Sequence, residues 1–259
     1  MNVASFITAR LKSKRLPKKV LKMLNGKPMI AHLVDRLKLS KECKKIILCT
    51  SILDQDNPLE DFAISNGIEV FRGDPDDVLL RLRDAAKKFN IDLISSCTAD
   101  NPLIDPISMD ELIKYHKKNN FDFCKSENLP FGTFTMTVSR KAVEKACEIK
   151  NSNNTEFWPQ YILKSGIFST SQLFHKDPRV MRPKLRLTVD EELDFELMNI
   201  IFKTLSRNFD KKIFSLRDVV EFLDNNPKIS EINSEVIQKI PPPIMLKEKQ
   251  RIKYEVSNG

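Results

Sequence analysis

The fold is decided by the stretch Val3-Ala4-Ser5-Phe6-Ile7-Thr8-Ala9-Arg10-Leu11-Lys12-Ser13-Lys14-Arg15-Leu16-Pro17-Lys18-Lys19. Its first part, Val3–Thr8, is apolar enough to predict a buried strand. The strand runs into a loop with seven basic and no acidic residues between Arg10 and Lys22. Ligands of open α/β sheets bind beyond the carboxyl ends of strands. Because Arg and Lys bind phosphate oxygens, a cationic loop at this position predicts a polyphosphate site.

Strand and helix signals alternate along the chain, which favours an α/β fold with a doubly wound, mainly parallel, Rossmann-like sheet. The sequence contains neither GxxxxGK[ST] nor GxGxxG, so the phosphates would be held mainly by side chains. We predict one domain over residues 1–238, with a small second lobe at about residues 121–174, and an extended tail over residues 239–259. The predicted strands are Val3–Thr8, Lys45–Thr50, Ile68–Phe71, Asp92–Thr98, Phe121–Lys125, Thr133–Val138 and Ile167–Phe174. The predicted helices begin near Pro28, Pro58, Asp77, Asp105, Ser139, Asn154, Glu191 and Ser215.

Composition narrows the class of protein. The net charge is +8 and 41% of residues are hydrophobic, as in a globular protein with an anionic ligand. No apolar run approaches the roughly 18 residues of a membrane span, and the N-terminus shows no leader pattern. The five scattered cysteines form no CxxC pair, which argues against zinc or disulfides and favours the cytoplasm. The three histidines are dispersed, and we expect His116 on a helix surface.

Three blocks in order carry a resemblance to a known family. Arg10 to Lys19 resembles R-x-x-S-x-R-L-P-x-K, residues 98–106 resemble T-x-D-x-P-L-I-D-P, and residues 186–196 resemble R-x-T-V-D-x-x-x-D-F-E. These are motifs of the cytidylyltransferases that activate sugars and sugar acids. The chain most resembles the spore coat polysaccharide biosynthesis protein F family, with CMP-Kdo synthetase and acylneuraminate cytidylyltransferase as relatives. The similarity runs from about Val3 to Phe202.

The resemblance implies a set of site residues. Asp100 and Asp190 match the family's two metal aspartates and would bind Mg²⁺, although an aspartate after a strand is more often a cap or turn residue. Asp105 and Asp194 are interpreted as a helix cap and a brace for the third motif. The family usually has Gly where Lys12 and Lys18 stand, and we expect Lys12, Lys14 and Lys18 to be solvated. Arg10, Arg15 and Lys19 would bind the triphosphate and stabilise the transition state, with Ala9 and Ser13 contributing backbone and hydroxyl contacts.

In two other regions the sequence leaves both a functional and a structural interpretation open. Gly73 and Asp77 lie in a segment that resembles the family's R-G-x-x-x-D-V-L, near the nucleotide. The alternative is a turn with a helix N-cap at Asp76 or Asp77. On the acceptor side the candidates are Gly132, Met136, Glu156 and Phe157. Met136 stands where the family has an acid, Phe157 where it has histidine, and Ser96 where arginine is common. These departures fit either a changed acceptor or altered packing.

The sequence therefore predicts a magnesium-dependent cytidylyltransferase that uses CTP to activate a sugar or sugar acid, working as a homodimer through the lobe at residues 121–174. Within this chemistry, a CDP-linked product or another nucleoside triphosphate stays open. A different alternative is an inactive fold whose basic loop binds nucleic acid or anionic lipid. Because no aromatic residue interrupts Arg10–Lys22, single-strand binding by base stacking is disfavoured. We accordingly predict neither a nucleic-acid nor a membrane partner.

Overall fold

The computed structural model describes residues 1–13, 15–208 and 213–247. Lys14 and residues 248–259 of the predicted tail lie outside the described residues. The strands are β1 Val3–Thr8, β2 Met23–Leu24, β3 Lys27–Pro28, β4 Lys45–Ser51, β5 Glu69–Gly73, β6 Leu93–Thr98, β7 Phe123–Glu127, β8 Met136–Ser139 and β9 Thr170–Phe174. The helices are α1 Met29–Leu37, α2 Asn57–Ser65, α3 Val78–Lys88, α4 Pro106–Asn119, α5 Arg140–Ile149, α6 Pro159–Leu163, α7 Glu192–Asn208, α8 Leu216–Asn225 and α9 Pro227–Ser230.

A seven-stranded sheet forms the centre of the protein, in the order β5-β4-β1-β6-β8-β7-β9. Every neighbouring pair is parallel except those that β8 makes with β6 and β7. β2 and β3 pair separately as a short antiparallel ribbon. The predicted α/β class with a mainly parallel sheet is confirmed.

The two faces of the sheet carry separate hydrophobic cores because successive residues of a strand point to opposite sides. Ile7 of β1 belongs to the core that α1, α2, α4, α7 and α8 cover. Its neighbour Phe6 belongs to the core that α3, α5 and α6 cover. Helices therefore pack on both faces, as a doubly wound sheet requires.

The strand order changes direction at β1. The chain adds β4 and β5 on one side of β1 and then crosses to place β6 on the other side. Thr8 at the end of β1 is in register with Thr98 at the end of β6. The loops that follow these two strands, the basic loop and the loop of Asp100, therefore leave the sheet side by side at its topological switch point.

Most helix ends follow the local signals of the sequence. Asp105 caps α4 by accepting a hydrogen bond from the Ser108 amide at 2.8 Å, and Ser215 and Asp218 form the predicted capping box of α8. The helix predicted from Asn154 is wrong in its extent, since α6 begins only at Pro159. Proline lacks an N–H and favours the first turn of a helix, so the helix starts there.

The segment predicted as a small lobe, residues 121–174, contributes β7, β8 and β9 to one end of the central sheet. Two predicted strands in it are shorter than expected, because β8 begins at Met136 and β9 at Thr170. His116 is the other correction. Only 1% of it is exposed, and its Nδ1 lies 2.9 Å from the Thr137 hydroxyl of β8.

After α9 the described part of the tail has no regular secondary structure, and residues 246 and 247 contact the end of α5. The Lys247 amide donates to the Ile149 carbonyl at 2.9 Å, and Leu246 is buried against the end of α5. Across the described residues, none of the helices is long and apolar enough to cross a membrane.

Candidate functional site

Two aspartates and one lysine meet at the carboxyl edge of the sheet. The Lys19 ammonium lies 2.7 Å from Oδ2 of Asp100 and 2.9 Å from Oδ1 of Asp190. It also donates to the Val189 carbonyl at 2.7 Å. The basic loop thus reaches both predicted metal ligands through one side chain, of which 13% is exposed. We call Lys19, Asp100 and Asp190 the carboxylate–lysine cluster.

Two arginines complete the charge around Asp190. Arg15 lies 3.0 Å from Oδ1 of Asp190 and also contacts Glu191 at 3.1 Å. Arg186 contacts Oδ2 of Asp190 at 2.9 Å. Asp190 is therefore surrounded by three cations, and Arg15 is the most exposed of them, with 37% of its side chain accessible. Arg15 is therefore the one of the three cations that an anionic ligand could contact most easily.

Asp194 braces this arrangement, as the sequence predicted. Its buried carboxylate accepts from the amides of Asp190 and Glu191 at 2.8 and 3.0 Å. It also accepts from Nε of Arg186 at 2.9 Å. A carboxylate that accepts several hydrogen bonds fixes the backbone and the arginine together, so Asp194 holds Asp190 in place rather than facing the cleft.

Backbone contacts hold the two aspartate loops against each other. Residues 185–189 form a loop with an isolated bridge between Phe131 and Arg186. The Val189 amide donates to the Asp100 carbonyl at 2.9 Å. Gly132, predicted to bind substrate, packs directly on this loop. A Cβ on it would lie 2.5 Å from the Thr188 nitrogen, and its φ is +96°. Only glycine suits both conditions.

The charges of the cluster stabilise one another. Burial alone would lower the pKa of Lys19, but the carboxylates of Asp100 and Asp190 outweigh it and raise that pKa. Burial alone would raise the pKa of Asp190, but Lys19, Arg15 and Arg186 outweigh it and lower that pKa. The lysine is thus held as a cation and Asp190 as an anion around neutral pH.

Arg10 lies on the other side of the basic loop. Its guanidinium donates to Asp76 at 2.6 Å and also to the Pro75 carbonyl. The hydrogen bond from Arg10 lowers the pKa of Asp76. The structure therefore does not bring Arg10 into contact with the carboxylate–lysine cluster, and the basic loop spans two separate sets of acidic partners.

The other described residues of the loop either form hydrogen bonds within the protein or are exposed. The Ala9 amide donates to the Cys49 carbonyl at 3.2 Å, and the Ser13 hydroxyl accepts from the Leu16 amide at 3.4 Å. Lys12 and Lys18 are exposed, as predicted. Lys18 has a φ of 51°, a left-handed conformation that glycine adopts without strain.

Asp77 has the structural role that the sequence left open. Only 1% of it is exposed, and it caps α3 by accepting from the Leu80 amide. Its carboxylate also contacts Lys150 and accepts from the Thr155 hydroxyl. With both oxygens engaged and buried, Asp77 does not face the basic loop, and its neighbour Asp76 is the residue that contacts Arg10. Gly73 is packed between the side chains of Phe71 and Arg81.

The acceptor-side candidates are spread over two places. Met136 lies in β8 between Ser96 of β6 and Lys125 of β7. Glu156 and Phe157 lie together before α6, where Glu156 forms an ion pair with Lys239 of the tail at 2.9 Å. Gly132 packs on residues 187–188, and Met136 packs against the core that contains Trp158, the neighbour of Phe157.

The donor set of the cluster fits Mg²⁺. The ammonium of Lys19 is surrounded by two carboxylate oxygens and one carbonyl oxygen, so this position already stabilises a cation. Mg²⁺ is commonly held by one or two carboxylates together with substrate phosphates. No group of three or more potential ligands occurs in the described ranges, and Asp100 and Asp190 would be the protein's contribution.

A cavity of about 460 Å³ lies elsewhere, between α4, the end of β9 and the start of α8. None of the three cluster residues lines it. We place the candidate site at the cluster because one residue from each of the three motifs, Lys19, Asp100 and Asp190, meets there, whereas Asp105 alone of the motif residues lines the cavity.

Sequence reasoning missed two contributors. Arg186 opens the third motif, and its position four residues before Asp190 was a usable signal for an ion pair. Gln238, which contacts Arg186, could not be found, because nothing in the tail sequence indicates where the tail returns.

Comparison with known proteins is consistent with the geometry. The protein-family model described as Cytidylyltransferase matches residues 4–204. An uncharacterized protein of Methanocaldococcus jannaschii is 36% identical over 242 residues, which cover 92% of this chain and 97% of that protein. The spore coat polysaccharide biosynthesis protein SpsF of Bacillus subtilis is 27% identical over 232 residues, covering 87% and 95%.

Solved structures share the fold. A cytidylyltransferase from Leptospira borgpetersenii superposes with a TM-score of 0.81 at 28% identity, covering 92% of this chain and 100% of that one. The structure of CMP:2-keto-3-deoxy-manno-octonic acid synthetase complexed with CTP superposes with a TM-score of 0.60 at 15% identity, covering 81% and 100%. The predicted resemblance is confirmed.

Proposed function

The chain belongs to the cytidylyltransferase family, and we propose that it transfers CMP from CTP to a sugar or sugar acid with release of pyrophosphate. The observation that carries the proposal is the contact of one lysine of the basic loop, Lys19, with both Asp100 and Asp190. A diffuse cationic patch would not need this convergence of three chain segments on one point.

The chain's own residues supply positioning and charge. In the reaction an acceptor hydroxyl attacks the α-phosphorus while pyrophosphate leaves, and catalysis depends on alignment and on stabilising phosphate charge. Arg15 and Lys19 would exchange carboxylate partners for phosphate oxygens. Arg10 would bind the triphosphate from the opposite side of the loop, exchanging its contact with Asp76.

We propose that Asp100 and Asp190 hold Mg²⁺ with the substrate phosphates. The ion would neutralise charge on the phosphate oxygens. Arg186 and Asp194 would keep the Asp190 carboxylate oriented while Lys19 moves to the phosphates. The fit of the donor set supports this assignment.

The acceptor is a sugar or sugar acid for surface polysaccharide assembly. Support comes from SpsF, whose name refers to spore coat polysaccharide biosynthesis. We propose that the acceptor is neither Kdo nor N-acetylneuraminate. Ser96, Met136 and Phe157 replace polar groups that the family uses, and a site without those groups disfavours ligands that need them. Efficient turnover of either sugar acid would contradict this part of the proposal.

We also propose a homodimer formed through residues 121–174. β9 lies at an outer edge of the sheet, and Phe174 at its end is largely exposed, which supports an interface there. A cytoplasmic location is supported by the five free cysteines among the described residues. Light scattering on the purified protein tests the oligomeric state, and a monomeric mass would contradict the proposed dimer.

The activity is tested by measuring pyrophosphate release from CTP, UTP, ATP and GTP against a panel of sugar acids, neutral sugars and sugar phosphates. We expect release from CTP with at least one acceptor and none without an acceptor. A preference for another nucleoside triphosphate would contradict the assignment of CTP, and no release with any pair would contradict the transferase assignment.

A further inference from the structure

The tail after α9 crosses the surface beside the candidate site. Gln238 contacts Arg186, which binds Asp190. The next residue, Lys239, forms an ion pair with Glu156 at 2.9 Å, and its ammonium lies 4.9 Å from the centre of the Phe157 ring. Two consecutive tail residues thus connect the Asp190 loop with the predicted acceptor-binding pair.

Residues 155–157 are also connected to the basic loop. The Thr155 amide, next to Glu156, donates to the Asp76 carbonyl at 3.2 Å. Asp76 in turn binds Arg10. These contacts connect the basic loop to residues 155–157. Gln238 and Lys239 connect residues 155–157 to the Asp190 loop.

Lys239 is suited to exchange its partner for a ligand. About half of its side chain and half of that of Glu156 are exposed (52% and 48%), and an exposed ion pair is weak. The Phe157 ring lies under the ammonium and would stay there after the carboxylate is replaced, because a cation over an aromatic face is itself stabilised. A ligand anion beside Lys239 would also be next to Gln238, which contacts Arg186 beside Asp190.

We propose that Lys239 is a specificity-determining residue that binds the anionic group of the acceptor, a carboxylate or a phosphate, in place of Glu156. The acceptor is then an anionic sugar rather than a neutral one. The role of the bound anion as part of an acceptor rests on the proposed function. Binding of an anion by Lys239 can be measured without any turnover.

Binding of matched sugars tests this on the full chain. Hexuronates, hexose 1-phosphates and the parent hexoses are titrated by calorimetry with and without CMP. The only tryptophan of the chain, Trp158, adjoins Phe157, so its emission locates the binding. We expect anionic sugars to bind and to change the Trp158 emission, and the parent hexoses to bind at least about tenfold more weakly. The carboxylate and phosphate series distinguish the two sources of the anion.

Four variants separate charge from structure. Lys239→Met should weaken binding of the anionic sugar about tenfold, while Lys239→Arg should keep it. Glu156→Gln should tighten it, because the competing carboxylate is lost. Lys247→Met is the matched control, since that tail lysine contacts no carboxylate among the described residues and should bind like the unmodified protein. Thermal unfolding confirms that each variant is folded.

The outcomes are separable. Equal binding of neutral and anionic sugars, equal losses in Lys239→Met and Lys247→Met, or no measurable binding of any anionic sugar would each overturn the inference. If anionic sugars bind through Lys239 but pyrophosphate is never released from CTP, the inference holds and the proposed function fails. If CTP is used with a neutral sugar alone, the proposed function holds and the inference fails.

Discussion

The ammonium of Lys19 lies 2.7 Å from Oδ2 of Asp100, although 81 residues separate them in the sequence. The contact exists because β1 and β6 are adjacent and parallel, so the loops that follow them share one edge of the sheet. The same ammonium contacts Asp190. A cation that joins two carboxylates in this way marks where the protein stabilises positive charge.

Asp100→Asn should abolish turnover and leave the fold intact. The substitution removes a carboxylate charge that we assign to the metal and to Lys19, at a cost of several kcal/mol of transition-state stabilisation, on the order of a thousandfold in kcat. Steady-state pyrophosphate release and a thermal unfolding curve measure the two properties. Turnover near the normal level in magnesium would show that Asp100 is not a metal ligand.

Lys19→Ala should weaken CTP binding and slow transfer, whereas Lys12→Ala should have little effect. Lys19 contacts both aspartates, while Lys12 is exposed. The two variants remove the same charge from the same loop, so their comparison separates ordered contacts from a diffuse patch. A diffuse patch predicts similar losses that both decrease with salt. Equal, salt-sensitive losses in CTP affinity would favour the nucleic-acid or lipid alternative.

Gly132→Ala should lower the free energy of unfolding by at least about 2 kcal/mol, because a Cβ would overlap the backbone of residues 187–188 and the φ is positive. Gly67→Ala is the control. Its φ is also positive but nothing lies within 4 Å of the added atom, so only the left-handed conformation costs energy, about 1 kcal/mol. Urea denaturation compares the two. A loss for Gly132→Ala no larger than that for Gly67→Ala would refute the close packing of this loop.

Stability should fall as the pH is lowered below 6.5. Burial lowers the pKa of His32 and of His116 to about 4, whereas the unfolded chain takes up these protons near pH 6.5. Between pH 6.5 and 4 the unfolded state therefore binds more protons, and each histidine reduces stability by about 1.4 kcal/mol per pH unit. His116→Gln should flatten this dependence, measured by urea denaturation at several pH values. An unchanged slope would contradict the burial of His116.

The sequence predicted the parts of the site that adjacent signals define. Arg15, Lys19, Asp100 and Asp190 lie in motifs next to strand ends, and the structure brings them together. The sequence could not distinguish Asp76 from Asp77, because either carboxylate could cap α3. Only the fold shows that Asp76 is the one that contacts Arg10. His116 was misjudged although Met109, Leu112 and Ile113 precede it at helical spacing on the buried stripe. Lys239 was missed because its contacts with Glu156 and Phe157 depend on the path of the tail, which tertiary packing alone decides.

The central claim is CMP transfer from CTP to an acceptor hydroxyl, and phosphorus NMR of the purified product tests it most directly. After reaction with CTP and the acceptor found in the pyrophosphate assay, we predict a single phosphodiester resonance, since an acceptor hydroxyl attacks the α-phosphorus and one phosphorus stays in the linkage. A coupled diphosphate pair in the product would contradict the account, because it would mean that a sugar phosphate, not a hydroxyl, is the acceptor.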